Sequence, residues 1–85
     1  MKPRKLLTRL ASGSLTNVSF ADFQRFVEAF GWRLSRTSGS HHVYVHPDLD
    51  QLVNLQEVRG EAKPYQIRQF LRLVERYNLR MGDRQ

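Results

Sequence analysis

Trp32-Arg33-Leu34-Ser35-Arg36-Thr37, then Ser38-Gly39-Ser40, then His41-His42-Val43-Tyr44-Val45-His46-Pro47 is the stretch that decides the fold. Residues 32–37 alternate apolar and polar side chains, the period-2 pattern of a half-buried strand. Ser38-Gly39-Ser40 reads as a tight turn and residues 41–46 as a second strand. Pro47-Asp48-Leu49-Asp50 reads as the next turn and residues 52–55 as a third strand. Connections this short join antiparallel neighbours. The middle of the chain therefore predicts a three-stranded antiparallel meander.

Helical patterns flank it. Ser19 is placed as an N-cap, with Asp22 in the capping-box position three residues on. Phe20, Phe23, Phe26, Val27 and Phe30 then form one apolar stripe, and Gly31 supplies a left-handed stop. Aromatic rings on one helix are also the raw material of a base-stacking platform, but a domain this small needs them in its core. Residues 3–11 predict a short helix, with Leu6, Leu7, Leu10 and Ala11 set against Lys2, Arg4, Lys5 and Arg9. Beyond the strands, residues 56–63 read as a loop around Gly60. Pro64 stands at the favoured first position of a helix, whose stripe is Ile67, Phe70, Leu71, Val74 and Tyr77. Asn78 stops it, and residues 81–85 read as a frayed tail. The expected class is α+β, with two layers and helices covering one face of the sheet. A single domain is expected over residues 1–85: a helical extension (1–18), a core (19–79) and a tail (80–85).

With 85 residues the chain has room for one small core. Its 40% hydrophobic and 26% charged residues are an ordinary globular balance. Cysteine is absent, which excludes disulfides and thiolate metal sites and fits a reducing compartment. The first residues are too charged for a signal peptide. No apolar run approaches the roughly 18 residues of a membrane span, so a soluble, cytoplasmic protein is expected. The net charge of +6 and the sequence pI of about 10.5 favour polyanionic partners: nucleic acid, an anionic membrane or an acidic protein.

All three histidines fall within residues 41–46. Histidine gives and takes protons near neutrality, so proton-transfer chemistry on nucleic acid is one reading and solvated histidines on an exposed sheet face the other. Alternation puts His42, Tyr44 and His46 on one face and His41, Val43 and Val45 on the other. His42 and His46 stand roughly 13 Å apart on a strand, too far to share a metal ion. Neither a metal nor another cofactor is expected, and Asp48 and Asp50 read as turn-shaping residues. No phosphate-cradling glycine loop or dinucleotide fingerprint is present, and Ser40 has no visible orienting group to make it a nucleophile. Arg68, Arg72, Arg76 and Arg80 step by four residues into one row opposite the apolar stripe, with Lys63 near its start. Such a row either tracks phosphates or is a solvated helix face.

Gly39-Ser40-His41-His42-Val43-Tyr44, followed by His46-Pro47, resembles the signature of HicA-type toxins, the RNA-cleaving halves of HicA/HicB toxin–antitoxin pairs. The resemblance runs from about Ser19 to Leu79 and takes in Gly31-Trp32-Arg33-Leu34 and Lys63-Pro64-Tyr65-Gln66. It implies a double-stranded-RNA-binding-like fold, a catalytic histidine at His41, mRNA as substrate and a HicB-type antitoxin as partner. The doublet leaves His42 as the second candidate. Many members carry Pro-x-His after the third strand, where this chain has Asn54-Leu55-Gln56. Many also open the last helix with Gly-Thr, where this chain has Lys63-Pro64-Tyr65. RNA carries its own nucleophile, the 2′-OH. A metal-independent endoribonuclease follows, in which the histidine removes that proton or protonates the leaving 5′-oxygen. Ser40, Lys63, Arg68, Arg72 and Arg76 are the residues expected to hold RNA. The alternatives are a non-catalytic RNA-binding module of the same fold and an adaptor for an acidic protein.

Overall fold

In the computed structural model, which describes residues 1–82, the chain runs α1 (Pro3–Ala11), α2 (Phe20–Ala29), β1 (Arg33–Ser38), β2 (His41–His46), β3 (Leu49–Val58), β4 (Glu61–Ala62) and α3 (Pro64–Arg76). Ser19 caps α2 as its sequence requires: its Oγ accepts the Asp22 N–H at 3.1 Å. Gly31, at φ +96°, turns the chain out of that helix. No β-carbon fits there, because one would lie 2.9 Å from His46 Nε2. Pro64 opens α3, and Asn78 follows it in the left-handed region at φ 51°.

The strands form one antiparallel sheet in the order β1-β2-β3-β4. Three strands were expected, so the fourth is a correction. Residues 56–63 are not a loop: β3 continues to Val58, and β4 pairs back on it through Glu57↔Ala62 and Val58↔Glu61. The hairpin closes on Arg59 (φ 54°) and Gly60 (φ 78°), two consecutive left-handed residues of the kind a two-residue turn needs. The expected third strand also starts earlier, at Leu49, because Pro47 and Asp48 alone make the turn. The frayed tail is corrected in part. The Gly82 N–H donates to the Ala29 carbonyl at 3.0 Å, and Met81 packs against the core. Residues 83–85, the rest of that expected tail, lie outside the described residues.

All the apolar stripes meet on one face of the sheet. Phe20, Phe23, Phe26 and Val27 of α2, Phe30 at its C-cap, and Ile67 and Phe70 of α3 are buried with Trp32, Tyr44, Val53 and Leu55. The Phe70 ring centroid lies 5.8–6.1 Å from those of Phe23, Phe26, Phe30 and Trp32. In α1, Leu6 and Leu10 are buried in the same core, and the helix packs on α2. The domain is a two-layer α+β fold compatible with the double-stranded-RNA-binding-like type. Its sheet is covered on the His42–Tyr44–His46 face and open on the other. Among the described residues, no helix is long and apolar enough to cross a membrane.

Candidate active site on the open face of the sheet

Strand alternation separates the three histidines, and the helices decide which of them are enclosed. His46 faces the helices. Its Nε2–H donates to the Phe30 carbonyl at 3.2 Å, its Nδ1 accepts the Asp48 N–H at 3.1 Å, and its ring stands edge-on to Trp32. Both nitrogens are used in tying the end of α2 to the β2–β3 turn. His42 faces the same way. Its ring centroid lies 4.8 Å from that of Phe20, and its Nδ1–H donates to the Ser40 carbonyl at 3.1 Å. Between them Tyr44 is fully buried, its hydroxyl accepting from Gln24 Nε2 at 3.0 Å. Burial pushes that phenol above its ordinary pKa, so Tyr44 is no proton-transfer partner near neutrality.

His41 points the other way and is exposed. Directly opposed residues of an antiparallel pair share a face, so the register defines its surroundings. One rung is Ser38–His41–Gln56, the next Arg36–Val43–Asn54, and the third Arg33–Val45–Leu52, with an irregularity in β1 between Leu34 and Arg36. His41 Nδ1 lies 3.3 Å from Asn54 Oδ1. Asn54 and Gln56 are fixed from behind by Gln66 on α3, a nearly buried side chain. Its Oε1 accepts the Gln56 N–H at 3.0 Å, and its Nε2 donates to the Asn54 carbonyl at 3.3 Å.

The expected RNA-binding residues do not form one patch. Ser40 lies in the β1–β2 turn beside His41. Lys63 caps the start of α3, with its Nζ 5.8 Å over the Tyr65 ring. Because Gln66, one turn into that helix, bonds Gln56 opposite His41, the start of α3 sits at the histidine end of the sheet. Arg68, Arg72 and Arg76 are exposed, and no carboxylate pairs with them among the described residues. However, α3 packs its apolar stripe on the covered face of the sheet, so the row looks out from the opposite side of the domain to His41. The basic residues that do share the His41 face are Arg36 and Arg33. The sequence reading takes residues 32–37 as an alternating half-buried strand and gives neither arginine a role. For Arg36 the spacing to His41 across the Gly39-Ser40 turn was the available signal; Arg33 reaches that face only through the irregularity between Leu34 and Arg36, which residue spacing does not show. Among the described residues, no group of three or more His, Asp or Glu comes together in a way that could hold a metal ion.

Fold and site together define a small basic α+β domain with an open sheet face that carries one exposed histidine among arginines and amides. A model of the family described as HicA toxin of bacterial toxin-antitoxin matches residues 20–75, more than half of the chain. The chain belongs to the HicA toxin family. Its role is that of the toxin of a toxin–antitoxin system, with an antitoxin as partner. The match begins at the first residue of α2, so α1 lies outside it. No curated protein and no solved structure matches the chain.

Proposed function

We propose that this toxin is a metal-independent endoribonuclease acting on mRNA, with His41 as its general acid or base and a HicB-type antitoxin as its inhibitor. The observation that carries the reading is the orientation of His41. Of the three histidines, it alone projects onto the uncovered face of the sheet, next to Arg36 and within a basic domain. In the reaction the 2′-oxygen attacks the adjacent phosphorus and the bond from phosphorus to the 5′-oxygen breaks. His41 takes the 2′-OH proton or delivers one to the departing 5′-oxygen. Arg36, Ser40 and Lys63 hold phosphates beside the cut. Arg68, Arg72 and Arg76 take the strand where it continues around α3.

The products test the chemistry. Cleaved RNA should carry a 2′,3′-cyclic phosphate on its 5′ fragment and a free 5′-hydroxyl on the other. A substrate with a single 2′-deoxy sugar at the cut should survive. Activity should persist in excess EDTA. A 5′-phosphate product, or activity lost to EDTA and restored by Mg²⁺, contradicts the proposal.

The two arginine sets test the binding path. Replacing Arg33 and Arg36 with Gln should weaken RNA binding. It should also flatten the log–log salt dependence by about 0.7 for each single-strand phosphate that is no longer neutralised. The triple Gln variant of Arg68, Arg72 and Arg76 should do the same without unfolding α3, since Gln is nearly as good a helix former as Arg. A triple variant with an unchanged salt slope and a weakened antitoxin complex would assign the α3 row to the partner interface instead.

A further inference from the structure

We infer that Asn54 is a positioning residue that locks His41 in the Nδ1–H tautomer and so makes its Nε2 the base that accepts the 2′-OH proton. The inference rests on the cleavage reading above and decides between its two roles for His41. A neutral imidazole has one N–H and one lone pair. Asn54 Oδ1, 3.3 Å from Nδ1, can only accept, so the proton of the neutral ring belongs on Nδ1. That leaves Nε2 unprotonated at the exposed edge of the ring. In water an unconstrained imidazole favours the opposite tautomer, so the amide has a chemical consequence beyond holding the ring still. The arrangement is the amide version of a histidine whose second nitrogen fixes which one reacts.

Asn54 is itself held. Gln66 accepts from the Gln56 N–H and donates to the Asn54 carbonyl, two bonds that bracket Leu55 and hold the backbone just after Asn54 on the edge of β3 that β4 does not reach. The ladder with β2 secures its other edge through Val43↔Asn54. The amide therefore projects from backbone fixed on both sides. The titratable groups on the surrounding elements are Arg33 and Arg36 on β1, His42, Tyr44 and His46 on β2, Asp50 and Glu57 on β3, and Lys63 and Tyr65 at the start of α3. Among the described residues none of them hydrogen-bonds or ion-pairs with the His41 ring.

The test combines nitrogen-detected NMR of His41 with steady-state cleavage kinetics in the parent, Asn54→Ala and Asn54→Asp. The parent should show the Nδ1–H tautomer. Asn54→Ala should shift the ring toward Nε2–H and lower kcat by about 10–100-fold, with KM little changed. Asn54→Asp keeps an acceptor and should restore both the tautomer and much of kcat. Its carboxylate favours the imidazolium, so the acid limb of the kcat/KM profile should move to higher pH. Asn54→Ala protein that keeps the parent tautomer, or changes tautomer without losing kcat, overturns the role of Asn54. Cleavage that survives His41→Ala overturns the reading beneath it, and the tautomer measurement, which needs no activity, tells the two failures apart.

Discussion

His41→Ala protein is expected to lose RNA cleavage by about 10²–10⁴-fold, the contribution a positioned acid or base makes, while unfolding within about 0.5 kcal/mol of the parent. The two halves of that expectation have one cause. The His41 ring is exposed and, among the described residues, its side chain bonds only to Asn54, so removing it takes away chemistry and little packing. His42→Ala should behave in the reverse way. Its ring is packed on Phe20 and bonded to the Ser40 carbonyl. Truncation there should cost about 1–2 kcal/mol and leave cleavage near the parental rate at temperatures where the variant is folded. Denaturant unfolding and single-turnover cleavage on both variants read the outcome. Loss of activity confined to His42→Ala would move the catalytic role one residue along and put it on the covered face.

The histidine doublet shows how far the sequence could be followed. Alternation along residues 41–46 already divided His41 from His42 and His46. What it lacked was the identity of the covered face. That is fixed by Phe20 and Gln24 of α2 and Phe30 at its C-cap, which meet His42, Tyr44 and His46 respectively from one side. The helices themselves were legible because their signals are local: Ser19 as cap, Gly31 as stop, Pro64 as start. The fourth strand was not, because its turn puts Arg59 in a left-handed conformation usually signalled by Asn, Asp or Gly. Partners set by register were illegible for a further reason. His41 and Asn54 are 13 residues apart, and Gln66 reaches Asn54 over 12. Nothing in residue spacing says which rung of β3 lies beside which rung of β2. The arginine row on α3 was readable as a row, but its position relative to His41 depends on which face of the sheet the helix packs against.

Phe70→Ala should be among the most destabilising single truncations, at about 3–5 kcal/mol. The residue is 1% exposed. Its ring packs where α3 meets α2 and the entry to β1, with the centroids of Phe23, Phe26, Phe30 and Trp32 all within 6.1 Å of its own. A cavity left there cannot close easily, since four aromatic rings would have to tilt together. Domains of this kind are stable by only about 5–15 kcal/mol in all, so the melting temperature should fall on the order of 20 °C. Arg72→Ala, on the outer side of the same helix, should shift stability by no more than about 0.5 kcal/mol. The consequence reaches the site because α3 also carries Gln66, which holds the backbone of Asn54 and Gln56 behind His41. At low temperature the folded fraction of Phe70→Ala should still cleave RNA. On warming, activity should disappear together with the far-UV helical signal, well below the parental midpoint. A variant that melts within a few degrees of the parent would mean that α3 is anchored by Ile67 and its partly buried neighbours rather than by the aromatic cluster, and Ile67→Ala would then become the damaging truncation.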